Sequence, residues 1–167
     1  MSEGELTWLA KQAQSRYMIA EIGAWCGRST RALADHCPGV VYAIDLWAGS
    51  DDVESYGHLS HVDVTRERVI FNENIADHIA SGKVIPVRMD SILPLKLNVP
   101  LFDMIFFDSA HYYDFVLTEI ALWRFRLKKD GLLCGHDYGH PNLPDVKRAV
   151  DIIVGHVNTH ELIWWKP

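Results

Sequence analysis

The chain has 167 residues, 49% of them hydrophobic, with 16 Lys and Arg against 22 Asp and Glu and a formal net charge of −6. That length builds one hydrophobic core, and the acidic balance argues against a large nucleic-acid interface, which needs clustered Lys and Arg. No apolar run is long enough for a membrane span, the N-terminal stretch MSEGELTWLAKQAQSRY has no signal-peptide core, and Cys26, Cys37 and Cys134 show no CxxC spacing, so a cytoplasmic protein without disulfide framework or zinc ribbon is expected.

In chain order, the segment before the first strand has room for one helix. YMIAEIG (17–23) reads as a strand, followed by a glycine turn and the helical STRALADHC. VVYAIDL (40–46) reads as a second strand. The polar stretch WAGSDDVESYGHLSHVDV (47–64) follows, a long loop that suits a lid or a surface insertion. TRERVIFNENIADHIASG is a helical pattern ending at glycine, then KVIPVRM (83–89) and FDMIFFD (102–108) read as strands. YDFVLTEIALWRFRLKKDG reads as one helix, GLLCGHD (131–137) as a strand, PDVKRAVDIIVG as a helix and HELIWWK (160–166) as a single last strand. Near-continuous apolar strands alternating with helices predict an α/β fold: a Rossmann-like, doubly wound, mostly parallel sheet with helices on both faces, as one domain over 1–167. In such sheets ligands bind beyond the carboxyl ends of the strands, where this chain places Glu21, Gly23, Asp45, Asp108, His136 and Asp137.

The turn EIGAWCGRST (21–30) is a near miss to two phosphate cradles. The dinucleotide pattern GxGxxG fails at Trp25 and Arg28, which disfavours an NAD-dependent oxidoreductase. The pattern GxxxxGK[ST] fails because only three residues separate Gly23 from Gly27 and Arg28 stands in place of the lysine. ExGxxxG remains: Glu21, Gly23 and Gly27, a spacing that plain turns also show. Asp45 can accept hydrogen bonds from both hydroxyls of a ribose, and Asp90-Ser91 can meet an adenine amine.

With these residues in view, the chain resembles class I S-adenosylmethionine-dependent methyltransferases over Glu21 to Lys166. FDMIFFDSAHYYDFVLTEIALWRFRLKKDGLLCGHDY, followed by DVKRAVDIIV, resembles the branch of small-molecule O-methyltransferases that includes the cephalosporin-biosynthesis and macrolide-sugar types. The resemblance implies S-adenosylmethionine as methyl donor, cradled by Glu21, Gly23, Ala24, Trp25 and Gly27, with the Ser29-Thr30 region at its carboxylate. Asp45 would take the ribose, Leu46 and Trp47 would wall the adenine, Asp90 and Ser91 would mark its far edge, and Asp108 would border the cofactor. A donor without phosphates accounts for both failed cradles.

Methyl transfer needs the acceptor oxygen held in line and relieved of its proton. His111, whose side-chain type titrates near neutrality, is the candidate base beside Asp108; the alternative is a capping or packing histidine. Asp108 and Asp137 could share Mg²⁺. Metal-dependent relatives carry an acid just before the second Asp, where this chain has His136, so another divalent metal (Mn²⁺, Fe²⁺ or Zn²⁺) or loss of the metal is open. Tyr112, Tyr113 and Tyr138 could line the acceptor pocket or pack. His58 and His61 read as solvated or as facing the acceptor, His136 and His140 stand four apart without the Glu of HExxH and so make a weak zinc-protease signal, and Cys26 and Cys134 read as core. The expected partner is a small-molecule methyl acceptor; either the acceptor is large or presented by a partner, or the 47–64 loop and a second subunit of a homo-oligomer close the pocket. A non-catalytic cofactor-binding domain and an N-methyltransferase are the competing functions.

Overall fold

A computed structural model describes residues 1–47, 64–94, 98 and 101–167, with the side chains of 64 and 65 left out. The expected lid, with His58 and His61, therefore lies outside the described residues apart from its two ends.

Helix α1 (Glu3–Ala13) starts at a Ser2/Glu5 capping box, each side chain satisfying the other's backbone amide. Strand β1 (Met18–Ile22) leads through the glycine turn into α2 (Arg28–His36), and β2 (Val40–Asp45) follows. Helices α3 (Val64–Asn74) and α4 (Ala76–Ala80) precede β3 (Val84–Arg88) and β4 (Phe102–Phe107). Helix α5 (Tyr113–Trp123) ends in a 3-10 turn over Arg124–Arg126, then β5 (Leu127–Gly135), α6 (Pro144–Ile153), β6 (Asn158–His160) and β7 (Ile163–Lys166) complete the chain.

One sheet runs β3-β2-β1-β4-β5-β7-β6. The first five strands are parallel, and β7 and β6 close the edge antiparallel. Order reverses between β1 and β4, so the crevice of a doubly wound sheet opens between Gly23 and Asp108. Side chains along each strand alternate between two cores. On one face Ile19, Met104 and Phe106 meet Leu9, Leu33, Phe71 and Ile75, from α1, α2 and the α3–α4 region. On the other, Ala20, Ile105 and Phe107 meet Val116, Ile120, Trp123, Val146 and Val150 from α5 and α6.

Three boundaries differ from expectation. The helical pattern after β2 breaks at Ile75, whose φ of −129° lies off the helix. The segment LKKDG belongs to β5 rather than to α5: Leu127 pairs with Phe102, and a register shift absorbs the residues before Leu132 meets Met104. The expected last strand is a hairpin, because Glu161 turns the chain at φ +51° and Asn158–His160 pairs with Ile163–Trp165. Among the described residues no helix is long and apolar enough to cross a membrane.

Candidate active site

Gly23 sits at φ +88° with its amide donated to Ile44 O at 2.9 Å. A Cβ there would stand 2.3 Å from the Asp108 carbonyl oxygen, so only glycine lets the end of β1 touch the end of β4. Trp25 (φ +42°) and Gly27 (φ +85°) are also left-handed, and the loop bends over the end of β2. Asp45 holds it there. Its Oδ2 accepts the Ala24 and Trp25 amides at 2.9 and 2.8 Å, and its Oδ1 accepts the Trp47 amide at 2.6 Å. Among the described residues Oδ1 thus has one donor, and a carboxylate oxygen has acceptor capacity for a further hydroxyl.

Trp47 does not wall a ligand site. It is 1% exposed, its ring tilted at 56° to Phe71 with centroids 4.8 Å apart and lying under the Arg68 guanidinium, with its indole N–H given to Trp25 O at 2.9 Å. A left-handed backbone (φ +44°) turns this large apolar side chain inward, where burial is favourable. Leu46 is exposed beside it, and Trp25 is 55% exposed with its indole N–H on Glu67 Oε1 at 2.8 Å.

Beneath the loop, Glu21 is completely buried. Thr30 donates its hydroxyl to Glu21 Oε2, while Oε1 has no hydrogen-bonding partner. Burial pushes the Glu21 carboxyl up to about 8. Thr30 and Ser29 are buried too, so the Thr30 hydroxyl is committed inside, and the first-turn amides of α2 are of the kind that take partners from outside the helix. Asp90 and Ser91 follow β3 on the same sheet edge. Asp90 Oδ1 accepts the Ile92 amide at 3.1 Å, and Ser91 O accepts the Trp123 indole N–H at 2.6 Å.

Across the crevice four side chains converge. Asp108 follows β4, and His136 and Asp137 follow β5, with the His136 amide donated to Phe107 O at 2.9 Å. His136 Nδ1 lies 3.1 Å from Asp137 Oδ1 and 3.4 Å from Asp108 Oδ1. His111 Nε2 lies 3.0 Å from Asp137 Oδ2. The two Asp137 oxygens therefore serve different histidines. Asp137 is left-handed at φ +61°, the conformation that aims its carboxylate back across the crevice. Burial opposes charge on His136, but hydrogen bonds and charge from Asp108 and Asp137 outweigh it and hold the imidazole at about 10. Burial likewise opposes charge on Asp137, and His111 and His136 overcome it, keeping the carboxylate ionised well below the usual range.

Asp108, His136 and Asp137 each present a donor atom, and these atoms lie within 4.8 Å of one another. One imidazole and two carboxylates fit a divalent ion, and a proton on His136 occupies the same electrostatic role in the ion's place. The expected ligand residues are thus together, and the expected base is joined to them through Asp137. Two further acids were not singled out from sequence. Glu5 in α1 faces His136 Nε2 at 3.0 Å. Glu119 in α5 is 1% exposed, accepts the Ser109 hydroxyl at 2.5 Å and is pushed up to about 7 by burial. A cavity of about 10 Å³, enough for one water, lies among Asp108, His111, Glu119, His136 and Asp137. A Glu within a largely apolar helical run was the available signal for Glu119; the Ser2-x-x-Glu5 spacing signals a helix cap, and nothing local signalled the contact of Glu5 with His136.

A family model described as a methyltransferase domain matches residues 20–138, from β1 through the Asp137 turn. The chain belongs to the methyltransferase-domain family. It is by family and fold a class I S-adenosylmethionine-dependent methyltransferase. No curated protein matches its sequence. Solved structures share the fold at low identity. An O-methyltransferase from Bacillus cereus, in complex with S-adenosylhomocysteine, has a TM-score of 0.67 at 17% identity over 93% of this chain and 71% of its own. TomG, an O-methyltransferase of tomaymycin synthesis from Streptomyces achromogenes in complex with S-adenosylmethionine, has 0.67 at 16% over 93% and 70%. The calicheamicin methyltransferase CalS11 has 0.70 at 13% over 96% and 76%.

Proposed function

We propose that residues 1–167 act as one catalytic unit that methylates a hydroxyl of a small molecule or sugar, in a reducing cytoplasm that keeps Cys26, Cys37 and Cys134 as thiols. The observation that carries this is the Asp137 carboxylate, one oxygen on His111 and the other on His136, across the crevice from the glycine loop. The O-methyltransferases among the fold relatives support the same reading.

The methyl donor supplies an electrophilic carbon on a sulfonium. On the protein side, the Gly23–Gly27 loop and the first turn of α2 bind its amino-acid part. Asp45 Oδ1 takes a ribose hydroxyl, and Asp90-Ser91 with Leu46 border the base. Asp108 holds the near side of the crevice. His111, held through Nε2 by the Asp137 carboxylate, receives the acceptor's proton. A bound divalent ion would lower the acceptor's pKa; Asp108, His136 and Asp137 would hold it.

Calorimetry with S-adenosylmethionine, NAD and ATP tests the donor, and mass spectrometry of hydroxylated acceptors tests the transfer, each with and without chelator. Binding of S-adenosylmethionine alone and a mass gain of one methyl group on oxygen are expected. Failure to bind it or S-adenosylhomocysteine sinks the reading, and turnover indifferent to chelator removes the metal.

A further inference from the structure

Glu5 lies in the first turn of α1, where a capping glutamate ordinarily stays at the surface, yet it is 2% exposed. Its Oε2 completes the capping box by accepting the Ser2 amide at 2.6 Å. Its Oε1 turns inward, facing His136 Nε2 at 3.0 Å and accepting the Leu162 amide at 3.2 Å. One carboxylate therefore caps α1, pins the turn between β6 and β7, and grips a ring whose other nitrogen faces Asp108 and Asp137. The helix cap requires only the first of these contacts. An imidazole attached through Cβ can turn about two bonds, and a metal-ligating histidine whose outer nitrogen is hydrogen-bonded is fixed in tautomer and orientation.

We propose that Glu5 is a positioning residue of the site: by holding Nε2 it fixes the His136 ring so that Nδ1 is presented between Asp108 and Asp137 as a donor to a divalent ion. This rests on the metal reading given above. It makes α1 part of the site, although no residue of that helix lies among the three donors. A purely structural tie between α1 and β5 would affect folding stability and leave ion affinity alone.

The test is titration of Mn²⁺ into the cofactor-free protein, with the free ion followed by electron paramagnetic resonance at fixed pH. Glu5→Ala is expected to weaken binding by about 10- to 100-fold. Glu5→Gln keeps an oxygen to accept from Nε2–H and is expected to recover part of that loss. Ser2→Ala is the control. It removes the cap hydroxyl and its bond to Glu161 Oε2 at 2.6 Å while sparing the Glu5–His136 contact, so the melting temperature should fall with Mn²⁺ affinity unchanged. Should Glu5→Ala not fold, the Gln variant and the Ser2 control decide. Wild type that binds no Mn²⁺ sinks the metal reading and this inference with it. Wild-type binding that both Glu5 variants reproduce sinks this inference alone, as does an equal loss in Ser2→Ala.

Discussion

His111 Nε2 and Asp137 Oδ2 stand 3.0 Å apart, joining the loop after β4 to the turn after β5. The pair fixes which imidazole nitrogen carries the proton, the arrangement by which a carboxylate prepares a histidine base. Asp137→Asn is the informative change, because asparagine tolerates the left-handed backbone that position 137 adopts. An amide can donate to Nε2 and reverse the tautomer. We expect kcat to fall by about 10²- to 10⁴-fold with circular dichroism and the KM for the methyl donor unchanged. Steady-state kinetics with a found acceptor checks this.

Gly23→Ala should fail in two ways at once. The new Cβ would stand 2.3 Å from a backbone oxygen that cannot swing aside, and alanine would have to hold φ +88°. Strain of this kind costs about 1–3 kcal/mol, so the urea midpoint should drop. Because the displaced group is Asp108, activity should fall further than stability explains. Wild-type activity in a folded Gly23→Ala protein would contradict the close approach.

Asp45→Ala removes the acceptor of three amides at the loop as well as the proposed ribose partner. Calorimetry should show S-adenosylhomocysteine binding weakened by at least about tenfold, the equivalent of roughly 1.4 kcal/mol. Unchanged affinity would remove Asp45 from the cofactor site.

Glu21 sets a pH dependence of stability. Its carboxyl titrates near 8 in the fold against an ordinary 4.5. Between those values the folded protein holds a proton that the unfolded chain releases, so stability falls as pH rises through that window and levels off above it. Glu21→Gln keeps the shape and removes the titrating proton. Its melting temperature should match wild type near pH 5 and exceed it at pH 8–9, by the equivalent of about 1–3 kcal/mol. Parallel pH profiles for the two proteins would overturn the assignment.

Strands, their order of appearance and the acids at their ends were legible because a parallel strand covered on both faces is a continuous apolar run, and Asp45, Asp108 and Asp137 each interrupt such a run. The start of β5 was not. LKKDG carries the basic residues and glycine of a helix end, and only pairing with β4 draws it into the sheet. The hairpin at Glu161 was hidden because a left-handed glutamate leaves no trace in turn composition. Trp47 illustrates a different limit. An aromatic residue after a strand reads alike whether it faces ligand or core, and here its φ sign decided. Glu5 and His136 are 131 positions apart, beyond any local pattern.

The glycine loop also carries its own optical label. Trp47, Trp123 and Trp164 are buried to within 1% of full enclosure and Trp8 and Trp165 are half-buried, whereas Trp25 is 55% exposed in the stretch proposed to cradle the donor. Its indole is held at one end by Glu67 and open at its face. A ligand laid over the loop changes the polarity around that ring and leaves the enclosed ones alone. Occupancy of the crevice can therefore be followed by tryptophan emission in the unlabelled protein, with Trp25→Phe as the silent control.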